Sequence, residues 1–354
     1  MLGSSASMHS GMRRLSARAV WVGGSTLLLV AFISASAQGA FAISPTQLIH
    51  IIADSITGSG NSPEHLVFMN IRLPRLLLGI AAGAGLGMAG ALMQGMFRNP
   101  LADPGLIGVS SGAALAAGVT IVLAAAYFPE LPRKLGSWTL VLMAFAGGLA
   151  VTALIYALAQ SGGSTQVGLM LLAGIAVNSL AGAGLGFLSF IASDEQLRSI
   201  QFWLLGSLGG ARWSAVALVG TITFIAVTAG IAMARPLNAI ALGEAQASML
   251  GVDVERVKRL CVVITAMAVG GVTATTGIIG FIGLIAPHCI RIIAGPDHHV
   301  VLPGSALLGA ALVLAADAVA RTVAKPAELP LGVLTAFVGV PFFLLLLRGR
   351  KFKL

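Results

Sequence analysis

Arg72 and Arg75 flank Leu73-Pro74 at the start of a long apolar run. That spacing sets two guanidinium groups at one membrane edge. Guanidinium forks grip carboxylates and phosphates with two prongs, so the pair reads either as an anchor to lipid headgroups or as a fixed positive patch for acidic residues of a partner. Asp317 and Arg321 stand four residues apart near the end of another apolar run, the spacing of a local helical ion pair. Ionisable residues near a membrane helix end also raise a functional question. Arg321 falls on the same membrane side as Arg72 and Arg75, so the three can act as one group.

Other reactive residue types do not assemble into a centre. His288 is a lone histidine near a helix end, and His298-His299 follow Gly295-Pro-Asp297. A metal site needs several ligands converging at short range, and this spacing does not supply them. Cys261 and Cys289 sit in apolar runs and read as small core residues rather than a disulfide framework. No Gly-x-x-x-x-Gly-Lys-[Ser/Thr] loop occurs, so the chain lacks the phosphate cradle of an ATPase. No carboxylate lies mid-span to couple transport to an ion gradient. No serine nucleophile with a histidine base and no His-Glu-x-x-His appears either.

The elements that must hold these residues are set by composition. The 354 residues are 57% hydrophobic and 9% charged, with mean hydropathy +0.96. A soluble domain is about 25% charged. One chain cannot bury this much apolar surface in a water-facing fold, so its solvent is largely lipid. The 45 glycines fit that setting, where they let helices approach closely. The net charge of +9 is not gathered on a soluble basic face, which excludes nucleic acid as partner.

A span needs about 20 apolar residues. That rule picks out ten segments: 20–43, 73–97, 106–128, 137–160, 165–192, 213–234, 255–275, 277–293, 301–323 and 331–348. The expected fold is all-α and polytopic, with about ten transmembrane helices. Runs this long do not alternate as barrel strands would. The run 261–290, which contains Gly270-Gly271 and Gly277, reads either as one long helix or as a broken pair. The first run follows Arg13, Arg14 and Arg18 and resembles a signal peptide, but its length and the spans after it favour an uncleaved helix. Ten spans put both termini on one side. If that side is the cytoplasm, 13 basic residues lie inside and 8 outside, as the positive-inside rule asks. The chain then divides into a cytoplasmic tail 1–18, one permease-like membrane domain 19–348 and a basic cytoplasmic tail 349–354.

Small residues recur every fourth position at Gly79, Gly83, Gly87, Ala91 and Gly95. They make a flat ridge suited to close helix packing. Arg98-Asn-Pro-Leu-Ala-Asp-Pro104 closes that span as a rigid turn. Segments 44–72 and 193–212 form outer connections, and 235–254 forms a cytoplasmic one. Within the last, 240–250 is helix-favourable and amphipathic, with Gly251 as C-cap. It reads either as a surface-lying loop helix or as a docking knob.

These motifs resemble the membrane permeases of bacterial iron-siderophore, haem and cobalamin ABC importers, the type II or FecCD-like family. The resemblance runs through Arg72-Leu-Pro-Arg75, Gly90-Ala-Leu-Met-Gln94, Arg98-Asn-Pro-Leu-Ala-Asp-Pro-Gly105, Gly108-Val-Ser-Ser-Gly112, Phe202-Trp203 with Gly206-Ser207, Gly280-Phe-Ile-Gly-Leu-Ile-Ala-Pro-His288 with Arg291, Asp317 with Arg321, and Glu328-Leu-Pro-Leu-Gly332 with Thr335 and Gly339. It implies a homodimer with ten helices per subunit in the inner membrane and both termini cytoplasmic. It implies two cytoplasmic ATPase subunits, which bind the ATP and Mg²⁺, each gripping a coupling helix at about 240–251, here through Gly243, Glu244, Ala245, Gln246, Ala247, Leu250 and Gly251. It also implies a periplasmic binding protein whose acidic residues meet Arg72, Arg75 and Arg321. The chain itself would be no enzyme and would hold no permanent cofactor. Phe97 to Ala114 and Ser193-Asp-Glu-Gln-Leu-Arg-Ser199 are phrased as in haem permeases, which makes haem the expected cargo, with ferric siderophore or cobalamin as alternatives. His299 departs from that pattern, where arginine is expected.

Overall fold

The computed structural model describes residues 15–38, 47, 51, 62–124, 127, 128, 130–324 and 327–350. Most of the tail 1–18, the segment ahead of Ser62 and the tail beyond Arg350 lie outside the described residues. Among the described residues, seven helices are long and apolar enough to cross a membrane: α1 (Ala17–Ala37), α2 (Pro63–Met96), α4 (Trp138–Leu158), α5 (Val167–Ile191), α7 (Trp213–Ala232), α10 (Val254–Thr276) and α12 (His298–Val323). Three shorter apolar helices accompany them: α3 (Val109–Ala124), α11 (Ile282–Ala294) and α13 (Leu331–Leu345). The protein is an all-α, multi-pass membrane protein. A four-residue antiparallel hairpin, Gln160–Ser161 with Ser164–Thr165, is a local turn between α4 and α5.

Helix starts follow the capping chemistry of the sequence. Ser16 Oγ accepts from Ala19 N at 3.3 Å to open α1. Ser62 Oγ accepts from His65 N at 3.1 Å to open α2, with Pro63 in the first turn. Between 193 and 212 the sequence reading expects only a connection. Instead, helix α6 (Asp194–Leu205) lies there, opened by a capping box. Ser193 Oγ accepts from Gln196 N at 3.3 Å, and Ser193 N donates to Gln196 Oε1 at 3.0 Å.

The run over 261–290 is two helices, divided after Thr276 and not at Gly270-Gly271, which lie within α10. Gly277 takes φ +72 and Phe281 takes φ +66, left-handed conformations that no helix continues through. The expected single helix over 240–250 is also broken. It is α8 (Ala234–Ala241) and α9 (Glu244–Met249), separated at Gly243, where φ is +129. Gly251 at φ +81 ends α9: its N–H donates to Ser248 O at 3.0 Å, and Val252 N donates to Ala247 O at 3.0 Å.

Helix α2 is the central element, packed against α12, α7, α10 and α11. The glycine ridge explains its closest contact. A Cβ on Gly83 would strike the Gly309 carbonyl, and one on Gly87 would strike that of Ser305. The backbones of α2 and α12 thus meet with nothing between them. Gly79 faces Leu314 and Leu208, and Gly95 faces the His298 ring. Around this centre, α4, α5 and α7 show large apolar side chains outward, including Leu172, Phe190 and Phe224, as lipid contact requires.

Candidate functional site

Two polar clusters mark opposite ends of the bundle. At the first, the start of α2 meets the end of α12. Arg75 donates from Nε to Asp317 Oδ1 at 3.0 Å and from Nη1 and Nη2 to Glu328 at 3.0 and 2.9 Å. Arg321 closes the local pair with Asp317 Oδ2 at 3.0 Å. Its Nη1 and Nη2 donate to the Gln38 and Ala35 carbonyls at 2.9 and 3.0 Å. Arg72 donates to Ser36 O at 2.6 Å. Two arginines therefore cap the carbonyl end of α1, where positive charge is favoured by the helix dipole.

The sequence groups Arg72, Arg75 and Arg321, and the structure brings them together. It does not leave them on an open face. Arg72 and Arg321 are buried, while Arg75 pairs with a water-accessible carboxylate, the Glu328 side chain being 48% exposed. Three arginines against Asp317 and Glu328 leave one formal positive charge in this cluster. Glu328 lies 253 positions from its partner Arg75, so no local spacing reveals the pairing.

At the opposite end, α8 packs against α2 and α12 and leads into the short helix α9. Leu242, Met249 and Leu250 stand exposed, with Met249 87% accessible. Ala245 and Gln246 are exposed too, while Ala247 is buried and seats the turn. Isolated apolar residues at a surface are ordinary, but three on one short polar-flanked projection form a knob suited to a partner's cleft. The knob is pinned from below by Lys258, which is 2% exposed. Its Nζ donates to Glu244 Oε2 at 2.8 Å, Glu255 Oε1 at 3.2 Å and Thr165 O at 2.9 Å. Glu255 Oε2 accepts from Thr165 N at 2.7 Å. One ammonium thus ties α9, α10 and the 160–165 hairpin together. Sequence reading counts Lys258 merely as an inside positive charge. The signal that could single it out is Glu255 three residues before it on one helix face.

Beside the knob, Asn238 on α8 crosses to the turn before α12. Its Oδ1 accepts from His298 N at 2.9 Å, and its Nδ2 donates to Asp297 Oδ1 at 2.7 Å. Burial alone would raise the Asp297 carboxyl pKa. The hydrogen bonds from the Asn238 amide and from His299 outweigh it and hold the group below the ordinary carboxylate value. Among the described residues no group of three His, Cys, Asp or Glu side chains is placed to hold a metal ion. Exchanging Met249 for Asp puts a charge on the knob without touching Lys258. If the knob is a docking surface, the expected result is loss of co-purification of the docked protein by tenfold or more, with unchanged thermal unfolding of the chain alone.

The profile of the FecCD transport family matches residues 27–349. A haemin transport system permease, HmuU of Yersinia pestis, is 42% identical over 326 residues, covering 92% of this chain and 94% of the relative. A cobalamin import system permease, BtuC of Halobacterium salinarum, is 42% identical over 283 residues, covering 80% of this chain and 73% of the relative. A solved structure described as an inward-facing metal-chelate type ABC transporter superposes with TM-score 0.82 at 28% identity, over 94% of this chain and all of that one. The chain belongs to the FecCD transport family and is a permease of the ABC-importer kind, a non-catalytic transport subunit that acts with an ATPase and a periplasmic binding protein.

Proposed function

We propose that this chain is the haem permease of a type II importer of the bacterial inner membrane. It crosses the bilayer ten times, pairs with a second copy and places both termini in the cytoplasm. Two ATPase subunits grip the knob at 243–251, and a periplasmic binding protein docks at the arginine end. The observation that carries this reading is the pairing of two ends on one rigid core: an exposed apolar knob braced by Lys258 at one, a net-positive ion-pair cluster at the other. The match to a haemin permease over nearly the full length of both chains supports haem as cargo. The equally identical cobalamin permease keeps cobalamin as the second reading.

Transport follows by alternating access. The core of α2 and α12 is too tightly packed to flex, so motion at the knob passes through it as rigid-body tilt rather than local bending. Delivered cargo meets a largely apolar wall, and affinity resides in the binding protein. Growth of an iron-starved strain lacking its own permeases tests the cargo. Expression of this chain with its partner genes should restore growth on haem and not on a ferric siderophore. The reverse pattern would exclude haem.

At the docking end, Arg75 is the arginine whose partner can exchange. A carboxylate from the binding protein replaces Glu328 on the Arg75 fork, while Arg72 and Arg321 hold the neighbouring end of α1. Glu328→Gln removes the internal competitor. Binding-protein affinity should rise about threefold to tenfold, as expected for one charge-assisted bond of ~1 kcal/mol at a half-exposed site. Weaker docking of Glu328→Gln in a surface-immobilised binding assay would show that Glu328 itself is a contact.

A further inference from the structure

A pocket of about 250 Å³ opens beside the knob, its lining including Gln94, Arg98, Ala241, Arg291 and His298. Three of its lining side chains carry buried polar atoms without hydrogen-bond partners: Arg291 Nε and Nη2, Gln94 Oε1 and His298 Nε2. Gln94 and His298 are each only 2% exposed. Buried polar groups are ordinarily paired, so four unpaired atoms around one pocket ask for a ligand.

The atoms define what that ligand offers. Nε and Nη2 form one edge of the Arg291 guanidinium, the two-pronged fork that takes two oxygens of an oxyanion. Gln94 Nε2 donates to Leu284 O at 3.2 Å, which fixes Oε1 as the free acceptor. His298 Nδ1 lies 2.7 Å from Asn238 Oδ1, an acceptor already taking the His298 backbone N–H. Nδ1 therefore donates, and in the neutral ring Nε2 is left with a lone pair. The side chains lining the pocket thus carry, on buried atoms, one cationic two-donor edge and two acceptors. No carboxylate lines it, and Arg98 adds a second positive charge at its rim. A carboxylate or sulfate matches only the arginine edge. A protonated phosphate matches both halves: dihydrogen phosphate offers two oxygens to Arg291 and one O–H each to Gln94 and His298, and a monoester monoanion offers two oxygens to Arg291 and its single O–H to one of the two acceptors.

We propose that this pocket is a phosphate-binding site, taking a monoester-type phosphate either free or as the headgroup of an acidic lipid. Basic pockets between helix ends at a membrane surface suit such headgroups.

The test uses the purified full chain in phosphatidylcholine nanodiscs in phosphate-free chloride buffer. Inorganic phosphate should raise the thermal unfolding midpoint saturably, with sulfate needing at least tenfold higher concentration. Arg291→Lys keeps the charge but loses the two-pronged edge. Ala241→Leu fills the pocket without touching its polar atoms, and it carries the test if the lysine variant does not fold. Each should raise the phosphate concentration required at least tenfold. In a second arm, nanodiscs containing phosphatidic acid are examined by native mass spectrometry. Lipid retained by the unsubstituted chain and lost from Ala241→Leu, without response to free phosphate, identifies the headgroup as the source. Equal responses to phosphate, sulfate and chloride, or no response in either arm, overturn the site.

Discussion

Lys258→Met is expected to cut ATP-driven uptake tenfold or more while the permease still assembles with its partners. Methionine keeps the volume of the side chain but removes the ammonium that joins Glu244, Glu255 and the Thr165 carbonyl. Removing one partner of a fully buried ion pair costs about 3–5 kcal/mol. Here the Glu244 and Glu255 side chains are 39% and 30% exposed, so water recovers part of the loss. A stability cost of about 1–3 kcal/mol is the discounted figure. The larger effect is mechanical. Helix α9 is short and separated from α8 at Gly243, so without Lys258 it rocks under an applied push instead of passing it to α10. Uptake and ATPase rates measured together in proteoliposomes check this: hydrolysis persists and uptake falls. Lys258→Arg should recover part of the uptake. Unaltered uptake by Lys258→Met would remove Lys258 from the coupling route.

Gly87→Leu is expected to prevent stable folding altogether. The new Cβ meets the Ser305 carbonyl, which is backbone of α12 and cannot rotate away. Overpacking ordinarily costs ~1–3 kcal/mol because side chains give way. Here two helix backbones must separate along the central contact of the core, so the cost exceeds that range. Gly23→Leu on α1 is the matched control, since nothing lies within 4 Å of the added Cβ. Size-exclusion profiles and thermal unfolding in detergent check the pair. The Gly87 variant should aggregate or lose most of its unfolding midpoint, and the Gly23 variant should behave as the unsubstituted chain. Equal behaviour of the two would show that α2 and α12 are not in the tight contact described.

The apolar elements were legible because lipid imposes long uninterrupted runs: each of the ten runs overlaps one apolar helix, and among the described residues seven of these reach spanning length. The break near 277 was legible through Gly277, but Phe281 at φ +66 has no compositional sign. Helix α6 was missed although Ser193 and Gln196 carry the capping-box spacing, because hydropathy scanning looks past a polar helix. The pair Asp317–Arg321 follows from one helical turn. Its extension to Arg75 and Glu328 joins residues 242 and 253 positions apart and exists only once the chain has folded. The burial of Arg72 and Arg321 was hidden for the same reason: their partners are carbonyls at the end of α1, and backbone groups leave no mark in a sequence.

Uptake by the reconstituted complex tests the central claim, that ATP hydrolysis by a docked partner moves haem through this chain. The permease, its ATPase and its binding protein are assembled in proteoliposomes, and labelled haem, ferric siderophore and cobalamin are offered side by side. The account predicts accumulation of haem only, and only with Mg-ATP on the ATPase side. Haem entry driven by an ion gradient without ATP, or accumulation of another cargo with haem left outside, would contradict it.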